Sequence, residues 1–104
     1  MDHSRYLAYR STARALERAP EWQLDPHERE RLRDLAEALL LTAAADDAER
    51  LRRDAALALS LLVGQRRLDD MRADGLWQEI SDCGPPDPGG SFARSSALAF
   101  AGDL

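Results

Sequence analysis

Asp25-Pro26-His27-Glu28-Arg29-Glu30-Arg31-Leu32-Arg33-Asp34-Leu35-Ala36-Glu37-Ala38-Leu39-Leu40-Leu41 is the stretch that decides the fold. It opens on an Asp-x-x-Glu capping signal: the Asp25 carboxylate can accept from a first-turn N–H while Glu28 reaches back to the cap. Pro26 falls at the first helical position, where its missing N–H costs nothing. Behind the cap, Leu32, Leu35, Ala36, Leu39, Leu40 and Ala43 recur at spacings of three and four, a stripe wide enough to face two neighbours. This predicts a helix from Pro26 to about Ala44. A second signal, Asp46-Asp47-Ala48-Glu49, follows at once and opens another Leu/Ala/Arg-rich run. There Leu51, Ala55, Ala58, Leu59 and Leu62 form one stripe, with Leu57, Leu61 and Leu68 beside it. The very short joint at Ala45-Asp46 makes the two helices antiparallel neighbours.

Upstream, a first amphipathic helix is expected from about Ser4 to about Ala19, where Pro20 stops it. Its larger apolar residues are Tyr6, Leu7, Tyr9 and Leu16. Trp22 and Leu24 precede the Asp25 cap, where an apolar residue can staple onto the following helix. Downstream, Gly64 interrupts the third helix as a kink, Gln65 to Ala73 continue in register, and Gly75 is placed to be the C′ residue. Leu76, Trp77 and Ile80 then form one further turn over the core. Gly84-Pro85-Pro86-Asp87-Pro88-Gly89-Gly90 cannot be crossed by a helix. The sequence thus predicts an all-α fold, an antiparallel three-helix bundle with a short fourth helical turn and a Pro/Gly-linked C-terminal arm. Its parts are a helical domain over 1–83, a linker over 84–91 and an apolar arm over 92–104.

Composition agrees. The chain has 104 residues, one domain's worth. Leu and Ala dominate, and the β-branched residues are only Val63, Ile80, Thr12 and Thr42, too few for a sheet. All 14 basic residues are Arg, set against 19 Asp and Glu for a net charge of −5. The two signs interleave along the helices, which disfavours tight, sequence-independent nucleic-acid binding and suits a protein partner. Without an N-terminal apolar run or a membrane-length apolar stretch, a cytoplasmic location is expected.

The candidate chemistry is sparse. Cys83 is the only cysteine, so neither a disulfide framework nor a thiolate cluster is expected, and no basic residue lies near it in sequence to activate it. Glu30, Asp34 and Glu37 share a helix face but lack the Glu-x-x-His pairs of a di-metal bundle, and they alternate with Arg29, Arg31 and Arg33 as a solvated ion-pair face does. No phosphate loop, dinucleotide fingerprint or nucleophile elbow occurs. The expectation is therefore a chain that is not an enzyme and uses neither metal nor cofactor.

The arm is the more informative element, because Phe92, Leu98 and Phe100 place two of the six aromatic residues there. It reads either as a segment folded back on the bundle or as a tethered docking peptide. Tyr6 and Tyr9 share a face of the first helix and, with Trp22, make a second candidate contact patch. The function expected is a non-catalytic protein-interaction module, an accessory or regulatory subunit or a homo-oligomer. In it, apolar surface of the first helix and the arm is buried against a protein partner or a second copy. Two other classes fit less closely. Ser60 to Gly75 compares with a helix-turn-helix in which Arg66, Arg67 and Arg72 would face DNA, but Asp69, Asp70 and Asp74 would face it too. An acidic inhibitor or antidote protein occupying a basic site on its target would also account for the charge.

Overall fold

A computed structural model describes residues 3–85, which form four α-helices. These are α1 (His3–Arg18), α2 (Pro26–Leu41), α3 (Ala45–Gly64) and α4 (Asp70–Ser81). The all-α class stands, but the fourth element is a full helix of 12 residues that packs as the others do, so the arrangement is four helices and not three with an added turn.

The cap of α2 forms as its sequence dictates. Glu28 N–H donates to Asp25 Oδ1 at 2.8 Å, Asp25 N–H donates to Glu28 Oε1 at 2.9 Å, and Pro26 occupies the first turn. The second capping signal is not used. The N-cap of α3 is Ala44, which has no side-chain bond to offer, and Asp46 and Asp47 lie inside the first turn. Their charges still complement the positive end of the helix dipole there, so the acidic cluster is retained while the cap moves two residues upstream.

The boundary between α3 and α4 differs most from the sequence expectation. Instead of kinking at Gly64, α3 ends there. Arg66 takes a left-handed backbone with φ of 60°. Arg67 N–H donates back to Leu62 O at 2.9 Å and Arg66 N–H to Val63 O at 3.0 Å, the bonding pattern of a Schellman C-cap. Such a position favours glycine, yet glycine stands two residues earlier and an arginine occupies it. Asp69 then caps α4 by accepting from Arg72 N–H at 2.6 Å. Gly75 is consequently interior to α4 and ends nothing.

Contacts between helix ends show the antiparallel alternation. Arg5 at the start of α1 meets the end of α2, and Arg29 at the start of α2 meets Ala19 just beyond α1. Packing joins α1 to α2, α2 to α3, α3 to α4 and α4 back to α1, with α2 and α4 also touching across the diagonal. Trp77 of α4 is buried in the middle, and its Nε1–H donates to Arg52 O of α3 at 3.1 Å. Leu16, Leu24, Leu32, Leu39, Leu59 and Ile80 belong to the same buried cluster, all closed to solvent. Leu24, the residue before the Asp25 cap, is buried in the core while Trp22 is exposed, and because the N4 position is Arg29 no apolar staple closes across the cap. No helix among the described residues is long and apolar enough to cross a membrane.

Candidate interaction surfaces

Which arginines remain available for recognition depends on which the fold consumes, and four are consumed. Arg5 donates from Nε to Cys83 O at 2.9 Å and from Nη2 to Leu39 O, Leu40 O and Thr42 O at 2.7, 3.1 and 2.8 Å. It thereby covers the bare carbonyl end of α2 and ties it to the end of α4. Arg29 donates to Ala19 O at 2.9 Å and Leu24 O at 3.2 Å, holding the α1–α2 connection. Arg52, buried within α3, donates to Ser81 Oγ at 2.9 Å, Ser81 O at 2.8 Å and Pro85 O. Arg67 grips Glu28 through both terminal nitrogens, at 2.7 Å to Oε2 and in a second contact to Oε1, while its Nε donates to Trp22 O at 3.0 Å. Its two-pronged fit to a carboxylate locks the cap of α2 to the turn after α3.

Of the three arginines considered for nucleic acid, Arg67 is therefore engaged by the fold, while Arg66 and Arg72 are exposed. Of the aromatic patch, Tyr6 is exposed, whereas Tyr9 is half-buried against the core, where its hydroxyl raises the pKa of Arg33. Trp22 is 64 % exposed in the α1–α2 connection. The three do not form one surface: Tyr6 lies near the start of α1, and Trp22 lies beyond its end. Phe92, Leu98 and Phe100 lie outside the described residues.

Tyr6 instead has other apolar company. Leu7 beside it is exposed, and so is Leu41 at 67 %. The carbonyls flanking Leu41, those of Leu40 and Thr42, are held by Arg5. Arg5 thus brings the start of α1 to the end of α2 and leaves three large apolar side chains exposed at one end of the bundle.

A second apolar surface is concave. Between α2 and α3 runs a cleft of about 230 Å³ whose floor includes Leu32, Leu57, Ala58, Leu61 and Leu62 and whose rim is Glu28, Arg31, Asp54 and Gln65. It continues into a polar groove of about 460 Å³ that shares Arg31 and Asp54 and adds His27, Glu30 and Asp34. Leu61 is 55 % exposed at the edge of the cleft. The signal is present in the sequence, since Leu57 and Leu61 stand beside the buried stripe of α3, and no fifth helix among the described residues covers them. On the opposite side, α1 and α4 enclose a shallower groove lined by Arg18, Met71, Arg72 and Glu79, among others, with Met71 86 % exposed.

Cys83 is closed to solvent, and burial pushes its thiol up to about 11; Thr12 Oγ1 lies 3.8 Å from the sulfur, which donates to Glu79 O at 3.4 Å. A thiol so placed stays protonated and is a poor nucleophile. Among the described residues no group of three or more His, Cys, Asp or Glu side chains could hold a metal ion.

The chain matches no family model, and no curated protein and no solved structure shows significant similarity to it. The functional reading therefore rests on the molecule's own surfaces.

Proposed function

We propose that the chain is a non-catalytic protein-interaction module, a small accessory or regulatory subunit or a homo-oligomer, that buries apolar surface of α1 and of the C-terminal arm against a protein partner. The observation that supports this reading is that Tyr6, Leu7 and Leu41 are all exposed at the end of the bundle organised by Arg5. Scattered single apolar residues on a surface need no explanation, whereas several gathered at one end beside a polar surround have the composition of an interface core. The interleaved charges of α1 and α2 supply the rim.

The test is light scattering of the purified full chain, alone and after co-purification from its host, beside Leu7→Glu and Leu41→Glu. Both side chains are exposed, so neither change should unfold the bundle. Loss of a self-association or of one defined partner in both variants, with unchanged helical content, supports the reading. Identical masses and identical co-purifying chains in wild type and variants would overturn it.

An acidic inhibitor of a basic target is the second reading, favoured by the exposed Glu30, Asp34 and Glu37 on α2 and by the polar groove beside them. Its mark would be an association rate that falls steeply with salt and is insensitive to Leu7→Glu.

A further inference from the structure

The cleft between α2 and α3 is an apolar trough on the bundle surface, and the chain carries its own candidate occupant. We infer that the arm of the same molecule docks there, with Phe92 seated on Leu57 and Leu61 and Arg94 against the Asp54 and Asp34 carboxylates. This deepens the proposed interaction function: the arm is stored on its own bundle, and a partner that takes the arm must first displace it.

Size supports an amino-acid side chain as the occupant. The apolar part of the cleft, about 230 Å³, falls below the roughly 300–1,000 Å³ of small-molecule sites. Reach supports this segment. The described chain ends at Pro85, whose carbonyl is held by Arg52 of α3. From the level of Arg52 to that of Leu61 is about 14 Å along the helix, and the nine-residue step also turns the face by half a circle, about 16 Å of arc around a helix about 10 Å across, so the path is roughly 21 Å. Phe92 is seven residues beyond Pro85, and a Pro-rich chain at ~3.1 Å per residue spans about 22 Å over that length. Charge supports it as well: Arg94 is the only charged residue between Asp87 and Asp103, and the cleft and adjoining groove carry Glu28, Glu30, Asp34 and Asp54 against Arg31 and His27. Glu28 is already paired with Arg67, and of Glu30, Asp34 and Asp54 only Asp54 lines both the cleft and the groove, so Arg94 meets Asp54 first, with Asp34 and Glu30 in the adjoining groove.

Tethering favours the molecule's own cleft over another copy's. A short flexible linker gives an effective concentration in the mM range, so an anchor too weak to join separate molecules at µM concentration is still largely seated in its own chain.

The experiment is methyl NMR on the full chain labelled at leucine, comparing wild type with Phe92→Ser. Ring-current shifts on the Leu57 and Leu61 methyls are expected in wild type and should collapse in the variant, with the methyls of Leu7 and Leu41 unmoved. In an equal mixture of labelled and unlabelled protein, contacts from the Phe92 ring to these methyls should run within one molecule and persist on dilution. Cleft methyls that do not respond to Phe92→Ser would overturn the inference, and so would contacts found only between molecules, which would make the arm an exchange element between copies. The measurement uses isolated protein and reads α2 and α3, so it can fail while the dependence of partner binding on Leu7 and Leu41 survives, and the reverse.

Discussion

Arg5→Met removes the clasp that joins three segments, and its cost can be worked from the contacts. The side chain makes four donations, one to Cys83 O and three to the carbonyl end of α2. Three of these share Nη2, which has two hydrogens, so about three effective bonds are lost. Hydrogen bonds from a charged donor contribute about 1.5–3 kcal/mol each, a gross of roughly 5–9 kcal/mol. Arg5 is only half-buried, so water can replace part of this, and the Met stem keeps the aliphatic packing. A net loss of about 2–3 kcal/mol is expected, which for a domain of this size lowers Tm by roughly 10–20 °C. Urea and thermal unfolding followed by circular dichroism would measure it, with Arg10→Met, exposed on the same helix, as the control expected within about 0.5 kcal/mol. Arg5→Lys keeps the charge near the α2 terminus, a dipole effect of about 0.3–1 kcal/mol, but a single ammonium cannot reach both Cys83 O and the α2 carbonyls. It should recover less than half of the loss. A stability for Arg5→Met within about 0.5 kcal/mol of wild type would refute the clasp, and full recovery by Lys would show that charge, not the fork of donors, does the work.

Four other outcomes are expected. Arg66→Gly should stabilise by about 0.5–1 kcal/mol, because the left-handed position at φ 60° costs an L-residue roughly 1–2 kcal/mol and glycine's greater unfolded-state freedom returns part of that; unchanged or lower stability in urea would count against it. Gly75→Ala should stabilise by about 1 kcal/mol, since an added Cβ meets nothing within 4 Å in the interior of α4. Gly84→Ala should destabilise by about 1–3 kcal/mol, because its Cβ would lie 2.8 Å from Leu39 Cδ2 and 3.0 Å from Arg52 Nη2. The Cys83 thiol, raised by burial to about 11, stabilises the fold fully below pH 9; that contribution, up to about 3 kcal/mol, is lost as pH rises from 9 toward 11. Cys83→Ala should flatten the alkaline limb of a stability profile, and a thiol reagent should label the native protein only as fast as it opens.

The sequence and the structure agree where a signal is local and unshared. The start of α2 is legible because Asp25, Pro26 and Glu28 each serve the same three-residue geometry. The start of α3 is not, because Asp46 and Asp47 favour the first helical turn about as well as the cap, and a chain with only three residues between helices lets tertiary packing choose the register. The break before α4 is concealed by its glycines: Gly64 is the last residue of α3 and Gly75 lies inside α4, so neither takes the left-handed position, which falls to Arg66. The capping residue itself, Asp69, adjoins Asp70 in a charged stretch that keeps helical register, so nothing local marks it as a cap. The roles of the arginines were hidden for a different reason. Arg5, Arg29, Arg52 and Arg67 accept their tasks from carbonyls and a carboxylate far away in sequence, and nothing local separates them from the other nine arginines among the described residues.

The bond from Arg5 to Cys83 O spans 78 positions of sequence and sets the entrance of α1 beside the exit of α4. Because the first and last described helices meet in this way, the chain can be rewired: joined through the residues after Pro85 and cut instead at the exposed Gln65–Arg66 turn, it would traverse the same four helices in the order α4, α1, α2, α3. Such a circular permutant would free Arg66 from its left-handed backbone and place the arm between α4 and α1.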